Sequence, residues 1–281
     1  MDNLQHQRRE LKYIIHEETA RAARDFVSSY LALDRFGDGQ PDFSYPVNSL
    51  YLDSDDLDFY WHTINGNKNR FKLRLRYYDD RPASPVYFEI KRRIDGVILK
   101  ERGAVKRDAV DALLAGQLPE REQLFFDEPR HLPALERFCE RMQRHHAKPK
   151  GHVAYRREAW VSTNGNTTRV TMDRQIRFAF EPASLLRTEM HRPLEVFPDR
   201  VVLELKFTGR FPDWFRELVR CFNLWSCSAA KYADGVALLM EMGGDLITSA
   251  VPPRPEMEEK LRCRRLNLDR NRQANELAVI A

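Results

Sequence analysis

Several short stretches of this chain set charged residues two apart, the spacing that puts side chains on one face of a β-strand. Lys72, Arg74 and Arg76 alternate with Phe71, Leu73, Leu75 and Tyr77. Glu10 with Lys12, Glu89 with Lys91, and Glu204 with Lys206 repeat the idea as E-x-K, each backed by apolar neighbours on the other face. Arg157 and Arg169 add cations to two further alternating segments, and Lys100 and Lys231 complete the set. Three cations on one face repel, and a purely structural strand gains nothing from them. A solvated outer face accounts for any one such strand. The repetition favours a different arrangement, in which the charged faces turn inward in a closed barrel and amphipathic helices cover the apolar faces from outside. That lining would hold ten cations against three carboxylates, an excess of seven, while the whole chain carries only +4. An enclosed cationic surface is costly unless an anion neutralises it, and it attracts polyanions. Arginine offers bidentate forks to phosphate oxygens and lysine a point charge. The glutamates would orient those cations or hold a hard divalent ion such as Mg or Mn.

The absences agree with side-chain rather than loop recognition of phosphate. There is no GxxxxGKS/T loop, no GxGxxG, no HExxH and no GxSxG in the sequence. The 281 residues, 42% apolar, can bury a sizeable core, so wholesale disorder is excluded. No run approaches the length of a membrane span, and the polar start from Met1 to Glu10 does not resemble a secretory signal. Cys139, Cys221, Cys227 and Cys263 include no CxxC pair, which suits free thiols in a reducing compartment. The expectation is a soluble, cytoplasmic protein. RNA or DNA binding is not expected, because the aromatics read as lying on apolar faces rather than among the basic ones.

The elements that must position these residues follow from periodicity. A strand is expected from Arg9 to Ile15, then a helix from His16 to Leu33. Further strands are expected at Pro46 to Asp53, Phe71 to Tyr78, Val86 to Arg92 and Val97 to Arg102, with Asp95-Gly96 as a hairpin turn. Asp53 or Ser54 is placed to cap a short helix near Asp55 to Ile64. Helical patterns return at Lys106 to Ala115 and Leu132 to Arg144. A second hairpin joins Val153 to Ser162 and Thr168 to Asp173, with Asn164-Gly165-Asn166 at its tip. Val201 to Phe207 is the last strand, followed by helices around Phe211 to Phe222 and Tyr232 to Met242. Residues 1–250 read as one domain and 251–281 as a charged, flexible tail.

Taken in order, the charged segments resemble a known family. They are E-L-K-Y (Glu10 to Tyr13), S-L-Y-L-D-S (Ser49 to Ser54), K-L-R-L-R-Y (Lys72 to Tyr77), E-I-K-R (Glu89 to Arg92) and L-K-E-R (Leu99 to Arg102). Y-R-R-E-A (Tyr155 to Ala159), R-V-T-M-D (Arg169 to Asp173), E-L-K-F (Glu204 to Phe207) and K-Y (Lys231-Tyr232) follow. Over Arg8 to Met242 this set is similar to the VTC domain, the catalytic domain of the vacuolar transporter chaperone polyphosphate polymerase, within the triphosphate tunnel metalloenzymes and their CYTH-like relatives. The resemblance implies an α+β fold: an antiparallel eight-stranded β-tunnel with helices packed outside. It implies a phosphotransferase moving the ATP γ-phosphate onto polyphosphate. Lys12, Arg74, Arg76, Lys91, Lys100, Arg157, Arg169 and Lys231 would then contact phosphates, with Lys72 and Lys206 beside them. Glu204 would bind Mn or Mg; Glu10 and Glu89 would ligate metal or orient lysines. The SPX domain and membrane spans of eukaryotic members have no counterpart in these residues, which aligns the chain with stand-alone bacterial members and leaves room for a membrane-associated partner. Two other readings stay open: a tunnel hydrolase of inorganic triphosphate or nucleoside triphosphates, with Lys12 or Glu10 activating water, and a non-catalytic polyphosphate-binding module.

Overall fold

The computed structural model describes residues 8–163 and 167–243. The expected hairpin tip at Asn164 to Asn166, the charged tail and Cys263 lie outside the described residues. In chain order the elements are β1 (Arg8–Ile15), α1 (Glu17–Ser28), β2 (Ala32–Leu33), β3 (Ser44–Asp53), α2 (Asp58–Ile64), β4 (Arg70–Tyr77), β5 (Val86–Ile94) and β6 (Val97–Val105). They continue with α3 (Val110–Leu114), α4 (His131–Arg144), β7 (Lys148–Val161), β8 (Thr168–Phe180), β9 (Leu194–Glu195), β10 (Val201–Thr208), α5 (Asp213–Cys221) and α6 (Lys231–Glu241).

Eight of the strands close into an antiparallel ring in the order β7-β3-β4-β5-β6-β1-β10-β8, and β8 pairs back onto β7. The two-residue strands β2 and β9 attach to β7 and β8 outside this circuit. Closure removes free sheet edges and separates an inner face from an outer one. The thinnest seam is β1 against β6, joined by the single register pair Arg8 and Ile98. Inside the barrel Lys91 of β5 reaches across to Glu10 of β1 at 3.1 Å.

The outer faces are apolar, and the helices bury them. Leu73 and Leu75 of β4 and Phe88 and Ile90 of β5 pack with Leu135, Phe138, Cys139 and Met142 of α4. On the opposite side Tyr13 and Ile15 of β1, Leu203 and Leu205 of β10 and Val170 and Met172 of β8 meet α1 and α5. Ala20, Ala23 and Val27 let α1 lie close, while Phe215 and Leu218 fill the space under α5. Arg24 of α1 and Arg174 of β8 both bond Glu158, which is fully buried and also accepts the Trp160 indole N–H at 2.7 Å.

A third apolar cluster lies within the ring at one end. Ile14, Val47, Val153, Val202, Ile176 and Phe178 surround Tyr232, Ala233 and Val236 of α6. In β8 a positive φ at Gln175 (51°) interrupts the alternation, so Ile176 and Phe178 join this inner cluster. Phe178 is wedged between two glycines. A Cβ on Gly151 or on Gly235 would come within 2.4 Å of its ring.

Several segments differ from the periodicity reading, among them β7, which begins at Lys148 rather than Val153. The first helix ends at Ser28 rather than Leu33, because Ala32 and Leu33 pair with Val161 and Trp160 of β7. The strand expected at Thr168 to Asp173 runs on to Phe180, paired with β7 on both sides of a bulge at Gln175. The helix expected over Lys106 to Ala115 is a 3-10 turn followed by the five residues of α3. The short helix starts at Asp58 rather than Asp55, with Leu57 at the N-cap position. Yet Asp53 accepts the N–H groups of Phe59 and Tyr60, Ser54 accepts that of Asp58, and Asp53 also accepts the Tyr232 hydroxyl, tying β3 to α2 and α6. Gly235→Ala should lower unfolding stability by about 1–3 kcal/mol, the usual range for overpacking a filled core. A denaturant titration checks this, and an unchanged midpoint would show that Phe178 moves aside freely.

Candidate functional site

The polar half of the barrel interior encloses a cavity of about 980 Å³. Among the described residues its wall carries fifteen lysines and arginines and three carboxylates, Glu10, Asp34 and Glu204. All ten cations expected from the strand patterns stand on it: Lys12, Lys72, Arg74, Arg76, Lys91, Lys100, Arg157, Arg169, Lys206 and Lys231. They converge because the antiparallel register sets E-x-K segments side by side. Lys12 pairs with Glu204 and Glu10 with Lys206, so each carboxylate faces a cation of the neighbouring strand. Lys72 lies opposite Lys91, and Lys91 opposite Lys100, making a row of lysines across β4, β5 and β6.

Four carboxylates organise the cations. Glu204 contacts Lys206 at 2.6 Å, Lys231 at 3.2 Å, Arg157 at 3.4 Å and Lys12 at 3.6 Å, and accepts the Thr171 hydroxyl at 3.2 Å. Asp173 holds Arg157 through two bonds of 2.7 Å and Lys231 at 2.6 Å. Glu89, fully buried, grips Arg74 at 2.7 Å and Lys100 at 2.5 Å, with Arg76 and Arg102 both 3.9 Å away. Glu10 bridges Lys91 at 3.1 Å and Lys12 at 3.4 Å. Burial alone would raise the Glu204 and Glu89 pKa values, but the surrounding cations outweigh it and hold both well below the usual carboxylate range. Each remains an anion that fixes several cations in place.

Cations still outnumber acids, and the lysines absorb the excess. Lys72, Lys100 and Lys206 are brought down to about 7, burial being the largest cause and neighbouring cations adding to it. Tyr51 responds in the opposite sense. Burial pushes its phenol up, yet Arg74, Lys72 and Arg76 together bring it down to about 7. The Tyr51 hydroxyl accepts from Arg74 at 3.0 Å, and the Tyr155 hydroxyl accepts from Arg76 at 3.0 Å. These two tyrosines correct the expectation that aromatics keep to apolar faces. Tyr51 and Tyr155 stand on the cavity wall among the arginines, because β3 and β7 carry tyrosine where the other strands carry charge.

The fit of a divalent metal can be judged from the donors. Among the described residues no group of three or more His, Cys, Asp and Glu side chains could hold an ion without help. Glu204 and Glu10 do present carboxylates to the cavity, joined through Lys12. They suit a hard ion whose other ligands are phosphate oxygens. Glu89 lies behind Arg74 and Lys100, away from the cavity wall, in the place of a cation organiser.

The family model described as the VTC domain matches residues 7–240. The chain belongs to the VTC domain family. Subunit 4 of the vacuolar transporter chaperone complex from Schizosaccharomyces pombe (strain 972 / ATCC 24843) is 23% identical over 269 residues, covering 83% of this chain. The chain spans about 37% of that relative's length. Solved structures from Bacillus halodurans and of PH1819 from Pyrococcus horikoshii OT3 are both 13% identical, with TM-scores of 0.44 and 0.41. They cover 80% and 84% of this chain, and 95% and 99% of their own lengths. Among the described residues of this VTC domain, no helix is long and apolar enough to cross a membrane.

Other wall and hub residues were not singled out by the strand patterns. Asp173 continues the face of Arg169 and Thr171, Arg102 continues that of Lys100, and Tyr155 precedes Arg157 by two. Following the two-residue period one step further would have found all three. Asp34, which pairs with Arg169 at 2.8 Å, comes from a loop and carries no such signal.

The VTC tunnel should therefore take up protons when a polyanion enters. A lysine near pKa 7 is half neutral at pH 7, and a bound phosphate restores its charge. Calorimetric titration with tripolyphosphate at pH 7.5, in buffers of different ionisation heat, should give an apparent enthalpy that varies with the buffer and an uptake of about one proton or more. Because these lysines lose charge as pH rises, affinity should fall between pH 6 and 9. Buffer-independent heats would mean that the lysines are already charged.

Proposed function

We propose that this VTC domain is a polyphosphate polymerase-like phosphotransferase that moves the γ-phosphate of ATP onto a polyphosphate chain inside the cationic tunnel. One observation carries the reading: fifteen lysines and arginines enclose a cavity of about 980 Å³, and buried carboxylates hold several of them in place. Phosphoryl transfer passes through a loose transition state, so positioning and charge neutralisation supply most of the catalysis. Arg74, Arg76, Arg157 and Arg169 would hold the β- and γ-phosphates. A terminal oxygen of polyphosphate, already anionic at pH 7, bonds to the γ-phosphorus as its bond to the β–γ bridging oxygen breaks and ADP leaves. That nucleophile needs no strong base, which agrees with a wall that lacks histidine among the described residues. Mn or Mg, when bound, would neutralise phosphate charge. Glu204, with Glu10 beside it, would hold that ion together with phosphate oxygens.

A tunnel hydrolase of inorganic triphosphate or nucleoside triphosphates is the second reading: the same cations would hold a triphosphate, and Glu10, a carboxylate on the cavity wall kept ionised by Lys91 and Lys12, would orient the attacking water.

Incubating purified protein with ATP and Mn, then resolving products by gel and phosphorus NMR, separates the two. Long polyphosphate with ADP is the expected result. Orthophosphate or pyrophosphate alone would replace the polymerase by the hydrolase. Tight polyphosphate binding with no turnover of ATP, GTP or triphosphate would leave a binding module. In the active case Glu204→Gln should cut turnover by about 100-fold or more, without rescue at higher Mn. A thermal melt must show that the variant folds. Full activity of a folded variant would remove Glu204 from the metal assignment.

A further inference from the structure

At the rim of the tunnel three aromatic rings gather: Tyr45 and Tyr78 pack on the inner apolar cluster, and Phe36 extends them outward with the Arg35 guanidinium 4.8 Å from its ring centre. Phe36, in the loop between β2 and β3, is 57% exposed and lines the same cavity as the arginines. Its ring lies nearly parallel to Tyr78 (6° between planes, centroids 6.4 Å apart) and 5.6 Å from Tyr45. Tyr45 and Tyr78 are themselves 6.3 Å apart and also line the cavity.

This cluster is wired to a cation of the proposed phosphate site. Arg169 donates to Asp34 at 2.8 Å and to the Tyr45 hydroxyl at 3.3 Å. The other oxygen of Asp34 accepts the Phe36 backbone N–H at 3.1 Å. The loop is held in shape: Asp34 N–H bonds Ala159 O at 2.8 Å, and a Cβ on Gly37 would stand 2.4 Å from the Phe43 carbonyl oxygen. The side chain that fixes Arg169 therefore also fixes the backbone presenting Phe36.

We propose that Phe36 and Tyr78, with Tyr45 beneath them, form a stacking platform for the base of a nucleoside triphosphate. The inference rests on the reading of the tunnel as a triphosphate site. Phosphates held around Arg169 leave the nucleoside pointing toward the rim, where a flat π-face meets the rings. Inorganic triphosphate and polyphosphate have no such face, so the platform separates nucleotide donor from phosphate chain. The three side chains offer no amide to read a base edge. Stacking of this kind tolerates any base, so ATP and GTP should bind alike.

Titrating the whole protein with ATP, GTP and tripolyphosphate by calorimetry tests this, using Phe36→Ala and Phe36→Trp. Phe36→Ala should weaken ATP and GTP about tenfold, with tripolyphosphate affinity changed less than about twofold. Phe36→Trp should restore nucleotide binding. Intact tripolyphosphate binding with nucleotide affinities that ignore Phe36, or an equal loss for all three ligands, overturns the platform and leaves the tunnel reading standing. Failure of the wild-type protein to bind tripolyphosphate overturns both.

Discussion

Enclosing many like charges in a closed barrel is the constraint on which the rest of this structure depends. An unpaired ion taken out of water costs several kcal/mol. The fold meets that cost with carboxylates set at the roots of the cations. Glu204, Asp173, Glu89 and Glu10 each touch at least two of them, and Glu204 and Glu89 are flanked by four apiece. These anions neutralise too little to make the cavity neutral, but enough to hold its geometry. The remaining positive charge is what a polyanion would meet.

The same pairing serves the architecture. The β1–β6 seam has one register pair, yet Lys91 and Glu10 bridge the interior beside it. Lys231, the first residue of α6, enters the barrel to meet Asp173 and Glu204, while the next residue, Tyr232, stacks 4.8 Å from Tyr51 and donates to Asp53. One helix start thus supplies a cation to the site, an apolar seal behind it and an anchor for the cap of α2. Phe178 between Gly151 and Gly235 lets that helix come close enough to do all three.

Much of this was readable in the residues. A two-residue period needs no tertiary context to say which side chains share a strand face, and with the expectation of a closed barrel it gathered ten cations on one wall, although Lys231 begins a helix rather than a strand. Helices at α4 and α5 were equally plain, because an amphipathic stripe states its own length. The aromatics of β3 and β7 were not plain. Tyr51 and Tyr155 alternate as any buried tyrosine would, and only their neighbours on adjacent strands make them part of a charged wall. The end of α1 was missed for a related reason. The segment up to Leu33 keeps a helical stripe, and pairing with β7 overrides it.

By itself the sequence determined most of the strands, their charged and apolar faces and the family motifs, since these depend on local periodicity and order along the chain. Tertiary structure decided which strands close the ring, which carboxylate neutralises which cation, and that Glu89 lies behind the wall while Glu204 lies on it. Those outcomes depend on register between strands far apart in sequence and on how deep each charge is buried. Neither is fixed until the barrel closes.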